Sequence, residues 1–334
     1  MTKETMLQMA LESIGDHSRI RHWHRVSGGD INDAYRVQSG KQTYFIKMQR
    51  FPPSGFFAAE QMDLELIRQA RAINVPHTFG FGEADGWGWL VLEWIEGAET
   101  EQMAEQLGHG LARLHQCRGP AFGLDRDTYI GTLPQRNGWY GRWPDYYRDA
   151  RLRPQMTRAA ERGLLPAKRR KRLEWLLERL DQWLPDDGFP SLLHGDLWSG
   201  NWIPGPDGVP YLIDPSVLYG HHEFEIAFTE LFGGFPSRFY DSYRELMPLS
   251  ADYHDRKPLY QLFYLLVHLN LFGETYGSAV DRVLDRYAGG VVFPASPAIL
   301  IQHGSLRAAH HRFRSRAHRQ TEHSLAVSSP FFPE

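Results

Sequence analysis

A single cysteine, Cys117, stands among 334 residues, so no intrachain disulfide can form and no zinc set built on paired cysteines can be assembled. A reducing compartment fits that scarcity. No uncharged apolar run approaches the roughly 20 residues that cross a bilayer, and the start Met1-Thr2-Lys3-Glu4 lacks the cationic and apolar regions of a secretory leader. The formal net charge of -3 supplies no cationic field for general nucleic-acid binding. Internal repeats are also missing. The expectation is a soluble, cytoplasmic, monomeric protein whose partner is a small molecule rather than nucleic acid or membrane.

What is present is apolar material for a large core, 42% hydrophobic and 13% aromatic. From Trp23 to Lys47 apolar stretches are broken by Ser27-Gly28-Gly29-Asp30 and by Ser39-Gly40-Lys41, which predicts three antiparallel strands. Ala58 to Arg71 has helical spacing at Leu64, Ile67 and Ala70, and Trp89 to Glu93 reads as a further strand ending before Gly97. Beyond Thr100 the pattern turns helical: Leu107, Leu111 and Leu114 form a buried stripe, and a second long helix is expected over Lys168 to Leu184. Short Gly- and Pro-punctuated runs from Pro190 to Pro215 suit strands and loops, where chemistry is to be sought.

The densest chemistry is His194-Gly195-Asp196-Leu197-Trp198-Ser199-Gly200-Asn201, followed by Ile213-Asp214-Pro215. The Gly, Asp, Asn and Pro among them are, taken singly, ordinary turn formers. In this order the spacing matches phosphoryl transfer: Asp196 orients or deprotonates a hydroxyl, while Asn201 and Asp214 offer hard oxygens to Mg²⁺. Upstream, Lys47 ends the apolar run Tyr44-Phe45-Ile46 and is expected to contact nucleotide phosphates, held there by Glu60 near the start of the next helix. Gly28 and Gly29 occupy the position of a phosphate-covering loop, although Gly-Gly is also common in plain hairpins. Glu93-Trp94-Ile95 is expected to receive adenine.

With those residues in hand the chain resembles the fructosamine (ketosamine) kinases, relatives of the aminoglycoside phosphotransferases. The resemblance runs from about Ser13 to Tyr287. Its most specific segments are Leu193 to Asn201, Asp214-Pro215 with Tyr219-Gly220-His221-His222-Glu223-Phe224-Glu225, and Phe232-Gly233-Gly234-Phe235. It implies an α+β, bilobal protein-kinase-like fold: a nucleotide-binding lobe over 1–97, a catalytic and substrate lobe over 98–288, and an extension over 289–334. It also implies ATP and Mg²⁺, with a free or protein-linked ketosamine as the acceptor. Trp198 is then a sugar-stacking platform, and His221 and Glu223 are candidates for sugar or amine contacts, with loop bracing as the alternative. His268, on an apolar helix, reads by itself as a core histidine and is carried as a further substrate candidate. An aminoglycoside, choline or homoserine kinase would share Asp196, Asn201 and Asp214, but the Tyr219–Glu225 and Phe232–Phe235 segments argue against it. A nucleotide-binding pseudokinase would not need the complete residue set found here. The extension carries Arg312, Arg314, Arg316 and Arg319, either a solvated, disordered tail or a polyanion-binding arm.

Overall fold

The computed structural model describes residues 2–26, 32–186 and 188–290. Its first part is an antiparallel sheet of β1 (His22–Val26), β2 (Asp33–Gln38), β3 (Thr43–Arg50), β4 (Thr78–Ala84) and β5 (Trp87–Glu93), in the order β1-β2-β3-β5-β4. Alternation along β3 decides what each face does. Tyr44, Ile46 and Met48 turn to one side and are buried with Tyr35, Val37, Trp89 and Val91. Helix α1 (Lys3–Ser13) covers that side with Met6, Leu7 and Leu11. Lys47, one residue out of phase, is therefore committed to the opposite face, where helix α2 (Phe56–Ala70) packs through Phe57, Leu64 and Ile67. The expected helix over Ala58–Arg71 thus begins two residues earlier, while α1 and β4 were not anticipated.

The second part is mainly helical around a continuous core. Helix α3 (Met103–Gln116) buries Leu107, Leu111 and Leu114 as its stripe predicts. Short strands β6 (Phe122–Gly123), β7 (Thr128–Ile130), β8 (Leu133–Gln135) and β9 (Trp139–Tyr140) lead into α4 (Trp143–Tyr146), which continues through a π-helical segment at Tyr147–Leu152 into α5 (Arg153–Glu161). Helix α6 (Ala167–Leu177) stops seven residues short of the expected Leu184; a separate 3₁₀ turn at Leu180–Gln182 follows, burying Leu180. Strands β10 (Ser191–Leu193), β11 (Trp202–Pro204), β12 (Pro210–Leu212) and β13 (Leu218–Gly220) occupy the stretch expected to hold strands and loops. Helices α7 (His222–Thr229), α8 (Ser237–Leu246), α9 (Tyr253–Phe272) and α10 (Gly277–Ala288) complete it. The α+β architecture of an antiparallel sheet followed by a helical part agrees with the sequence expectation. Among the described residues no helix is long and apolar enough to cross a membrane. The arginines of the extension lie outside the described residues.

Asp16 locks the exit of α1 to the sheet. Its carboxylate, on a residue 1% exposed, accepts hydrogen bonds from Ser18 N and Oγ (3.0 and 2.6 Å), Ser39 Oγ (2.6 Å) and Tyr44 OH (3.0 Å). Burial opposes ionisation, but these donors outweigh it and bring the pKa from 3.8 down to about 2. A depressed folded-state pKa stabilises the fold above the ordinary carboxylate range, and that stabilisation is lost as pH falls toward the folded value. Asp16→Asn should therefore cost about 2 kcal/mol at neutral pH by the usual conversion of a pKa shift. Thermal melts of variant and parent should converge between about pH 4 and pH 2; a gap independent of pH would contradict the account.

Candidate active site

Two segments far apart in sequence meet because β10 pairs with β13, Leu193 opposite Leu218. The loop leaving β10 holds Asp196, and the loop entering β13 holds Asp214. Between them β11 and β12 form a hairpin with Trp202 opposite Leu212, which sets Asn201 against Ile213; the Ile213 N–H donates to the Asn201 carbonyl at 3.0 Å. Gly195 has φ +85, and a Cβ there would lie 1.8 Å from the Ser216 carbonyl oxygen, so the loop can approach β13 only with glycine at this point.

The loop is braced from below. Glu225 on α7, fully buried, accepts from the backbone N–H groups of His194 (3.0 Å) and Gly195, and pairs with His115 Nε2 at 2.7 Å. Burial would raise its pKa, but His115, His194 and the Gly195 N–H hold it below the ordinary value, so it stays ionised. His194 Nε2 lies 2.9 Å from the Ile213 carbonyl, which can only accept, so Nε2 carries the proton. Nδ1 is then free to accept the Asp196 N–H at 3.3 Å. Burial lowers the pKa of His194, consistent with that neutral tautomer, which ties the Asp196 loop to the Asp214 loop. Tyr264 of α9 donates to the Gly195 carbonyl at 2.9 Å, a third anchor.

Asn201 Nδ2 donates to the Asp196 carbonyl at 2.7 Å and lies 3.4 Å from Asp196 Oδ2, which leaves Asn201 Oδ1 as its unspent oxygen. Asp214 adopts φ +57, a left-handed conformation that aspartate tolerates better than most residues. Across from it, the Lys47 ammonium is held by Glu60 Oε1 at 2.5 Å and by Asp214 Oδ1. Burial would strip Lys47 of its proton, but the carboxylates of Asp214 and Glu60 outweigh it and raise the pKa, so Lys47 remains charged. Burial, together with the charges of Asp214 and Glu225, pushes the Asp196 carboxyl well above the ordinary range, against the hydrogen bond from Asn201.

These side chains line one cavity of about 1190 Å³. Its lining includes Lys47, Glu60, Glu93, Trp94, Ile95, Asp196, Trp198, Asn201, Asp214 and His268. Val26 and Asn32, at the flanks of the predicted phosphate loop, also line it. Gly28 and Gly29 themselves lie outside the described residues. Ala34 and Phe45 of the sheet and Ile203 and Ile213 of the hairpin region add apolar lining. Trp198, Phe232, Phe272 and Tyr276 also line the cavity.

Neither His221 nor Glu223, candidates for substrate contacts with loop bracing as the alternative, is among the residues lining the cavity. His221 caps α7, its Nδ1 accepting the Glu223 N–H at 3.3 Å, and stacks on Tyr260. Glu223 is fully buried and accepts from Ser250 N and Oγ (2.8 and 2.6 Å) and from Arg256 Nε and NH2 (3.2 and 3.1 Å). Loop bracing, the alternative for both, describes these contacts.

One further pair was missed. Asp63, one turn after Glu60 on α2, accepts from the Val217 N–H at 3.0 Å and from Arg126 NH2 at 2.9 Å, binding α2 to the segment just beyond Asp214. Burial raises its carboxyl to about 7, against the pull of Arg126 and the Val217 N–H. An Asp on the inward side of an otherwise apolar helix stripe was the available signal. Breaking a buried pair strands a charge, so Asp63→Ala should lose about 2–4 kcal/mol in denaturant unfolding. Asp63→Ala combined with Arg126→Met should lose clearly less than the sum of the single losses. Additive losses would show that the two side chains do not act as a pair.

A family model described as fructosamine kinase matches residues 1–289. A protein of Enterococcus faecium named "Probable ketoamine kinase" is 40% identical over 263 residues, covering 78% of this chain and 94% of that protein. A crystal structure from Haemophilus somnus, provisionally named a fructosamine-3-kinase, has TM-score 0.75 and 30% identity, covering 84% of this chain and 96% of that one. The aminoglycoside phosphotransferase APH(4)-Ia, at TM-score 0.57 and 16% identity over 85% of this chain and 99% of its own, shares the fold. The fold and the relatives define an ATP-dependent kinase of the kinase-like phosphotransferase class. Within that class, the chain belongs to the fructosamine kinase family.

Proposed function

We propose that this kinase transfers the γ-phosphoryl group of ATP to a sugar hydroxyl of ketosamines, adducts of fructosamine or ribulosamine type, and that the phosphorylated adduct then breaks down, a deglycation repair. The observation that carries this reading is the convergence of Asp196, Asn201, Asp214, Lys47 and Glu60 on one cavity in a chain of this family. The cavity exceeds the size of a typical single-ligand pocket and has room for a nucleotide and an acceptor together.

In this reading the backbone and side chains of Glu93-Trp94-Ile95 receive adenine, and Lys47, oriented by Glu60, binds phosphate oxygens. Asn201 Oδ1 and the Asp214 carboxylate are hard oxygen donors that would hold Mg²⁺, which would neutralise phosphate charge when bound. Asp196 accepts the proton of the sugar hydroxyl as its oxygen bonds to the γ-phosphorus, while the bond to the leaving oxygen breaks and ADP departs. Trp198, 41% exposed on the cavity wall, offers a flat face to the sugar and shields the transfer site from water.

The test is release of ADP with a panel of ketosamines, aminoglycosides and choline. Phosphorylation of ketosamines with the phosphate on the sugar is expected. Turnover of aminoglycosides or choline in preference to every ketosamine would overturn the acceptor assignment. Asp196→Asn should lower kcat by roughly 10²-fold or more while MgATP binding stays near that of the parent; near-normal turnover would remove Asp196 from its role.

A further inference from the structure

One cluster of aromatic rings lining the cavity has a chemical character that the ketosamine reading alone does not dictate. Phe232, His268, Phe272 and Tyr276 form a contiguous wall, with ring centroids 4.6 Å apart for Phe232–His268, 5.0 Å for His268–Tyr276 and 5.6 Å for His268–Phe272. Phe232 lies three residues beyond α7, His268 and Phe272 are in the last turns of α9, and Tyr276 is in the turn leading to α10. Much of the wall is open: Phe272 is 51% exposed although it lines the cavity. An aromatic surface left uncovered inside a binding cavity is unspent apolar area, the kind a ligand covers.

The charges lining the cavity as a whole point the same way. Among the described lining residues the only ammonium or guanidinium is Lys47, and it is saturated by Glu60 and Asp214. Glu60, Asp63, Glu93, Glu96, Asp196 and Asp214 are all acids. His268 does not compensate: its Nδ1 donates to the Tyr264 carbonyl at 2.8 Å, and burial lowers its pKa, leaving a neutral ring. A protonated secondary amine, as in a ketosamine, is favoured in such surroundings. A carboxylate on the carbon beside that nitrogen would meet no uncommitted cationic side chain among the described lining residues.

We propose that this wall selects ketosamines whose amine-derived group is apolar or aromatic and bears no carboxylate, in preference to adducts of free amino acids. The inference rests on the ketosamine reading and extends it from the sugar to the amine.

Three amines isolate the two features when each is joined to the same sugar: benzylamine, phenylglycine, which adds only the α-carboxylate, and methylamine, which removes the ring. Each is prepared as its fructosyl and ribulosyl adduct and assayed with the full chain by ADP release. For whichever sugar is accepted, kcat/KM for the benzylamine adduct should exceed that of both the others by about tenfold or more, the scale of one apolar group or one unmatched charge in a pocket. Phe272→Lys places an ammonium on the same wall and should raise the phenylglycine rate relative to the benzylamine rate. Equal or higher kcat/KM for the phenylglycine adduct, or for the methylamine adduct, would overturn the inference while leaving the ketosamine reading intact. Phosphorylation of none of the six adducts would overturn both.

Discussion

One ammonium group joins the two parts of the molecule. Lys47 belongs to the central strand of the sheet, Glu60 to the helix packed on that sheet, and Asp214 to a loop of the helical part; the Lys47 side chain is held by both carboxylates. Strand alternation leaves Lys47 no other direction, because its neighbours Ile46 and Met48 are fully buried on the far face. A charge this deep persists only when paired. The two carboxylates therefore set where α2 sits and where the Asp214 loop sits, and the cavity is the space between them. The Asp63 contacts with Arg126 and Val217 repeat the same tie one helical turn on.

The loop carrying Asp196 depends on a second buried charge. Glu225 gathers two backbone N–H groups and an imidazole, so the backbone of His194 and Gly195 is pinned at the base while the Asp196 side chain remains accessible to the cavity. His194, held as one tautomer by a carbonyl on one side and an N–H on the other, passes that order to the Ile213–Asp214 segment. Preorganised backbone of this kind lets a short polar loop hold its geometry without an apolar core of its own.

Much of this was legible in the sequence, and the limits were physical. Asp196, Asn201 and Asp214 could be read because their relation is local: a loop and a hairpin carry them to one place in a fixed number of residues. Lys47 was marked by the apolar strand before it. The strand β4 was hidden by Phe79-Gly80-Phe81-Gly82, whose glycines suggest turns; here Gly82 instead makes room for the Trp89 ring on the neighbouring strand. The predicted helix over Lys168 to Leu184 ran too long because Leu180 and Leu184 keep its apolar spacing, yet they are buried from a separate 3₁₀ turn. His221 and Glu223 sit in a family-specific segment, and only tertiary partners such as Ser250 and Arg256, distant in sequence, reveal that they brace the fold. Phe272 and Tyr276 carried no local signal, since a helix end and the turn after it bring them to the cavity.

Asp214 holds Lys47, and in the proposed reaction it would also be the charged oxygen offered to Mg²⁺ when nucleotide binds. Calorimetric titration of ATP with and without Mg²⁺, on the parent and on Asp214→Ala, tests this most directly. The parent should bind ATP much more tightly when Mg²⁺ is present, and Asp214→Ala should lose most of that gain while keeping a folded melting profile. An unchanged Mg²⁺ dependence in the variant would contradict the account.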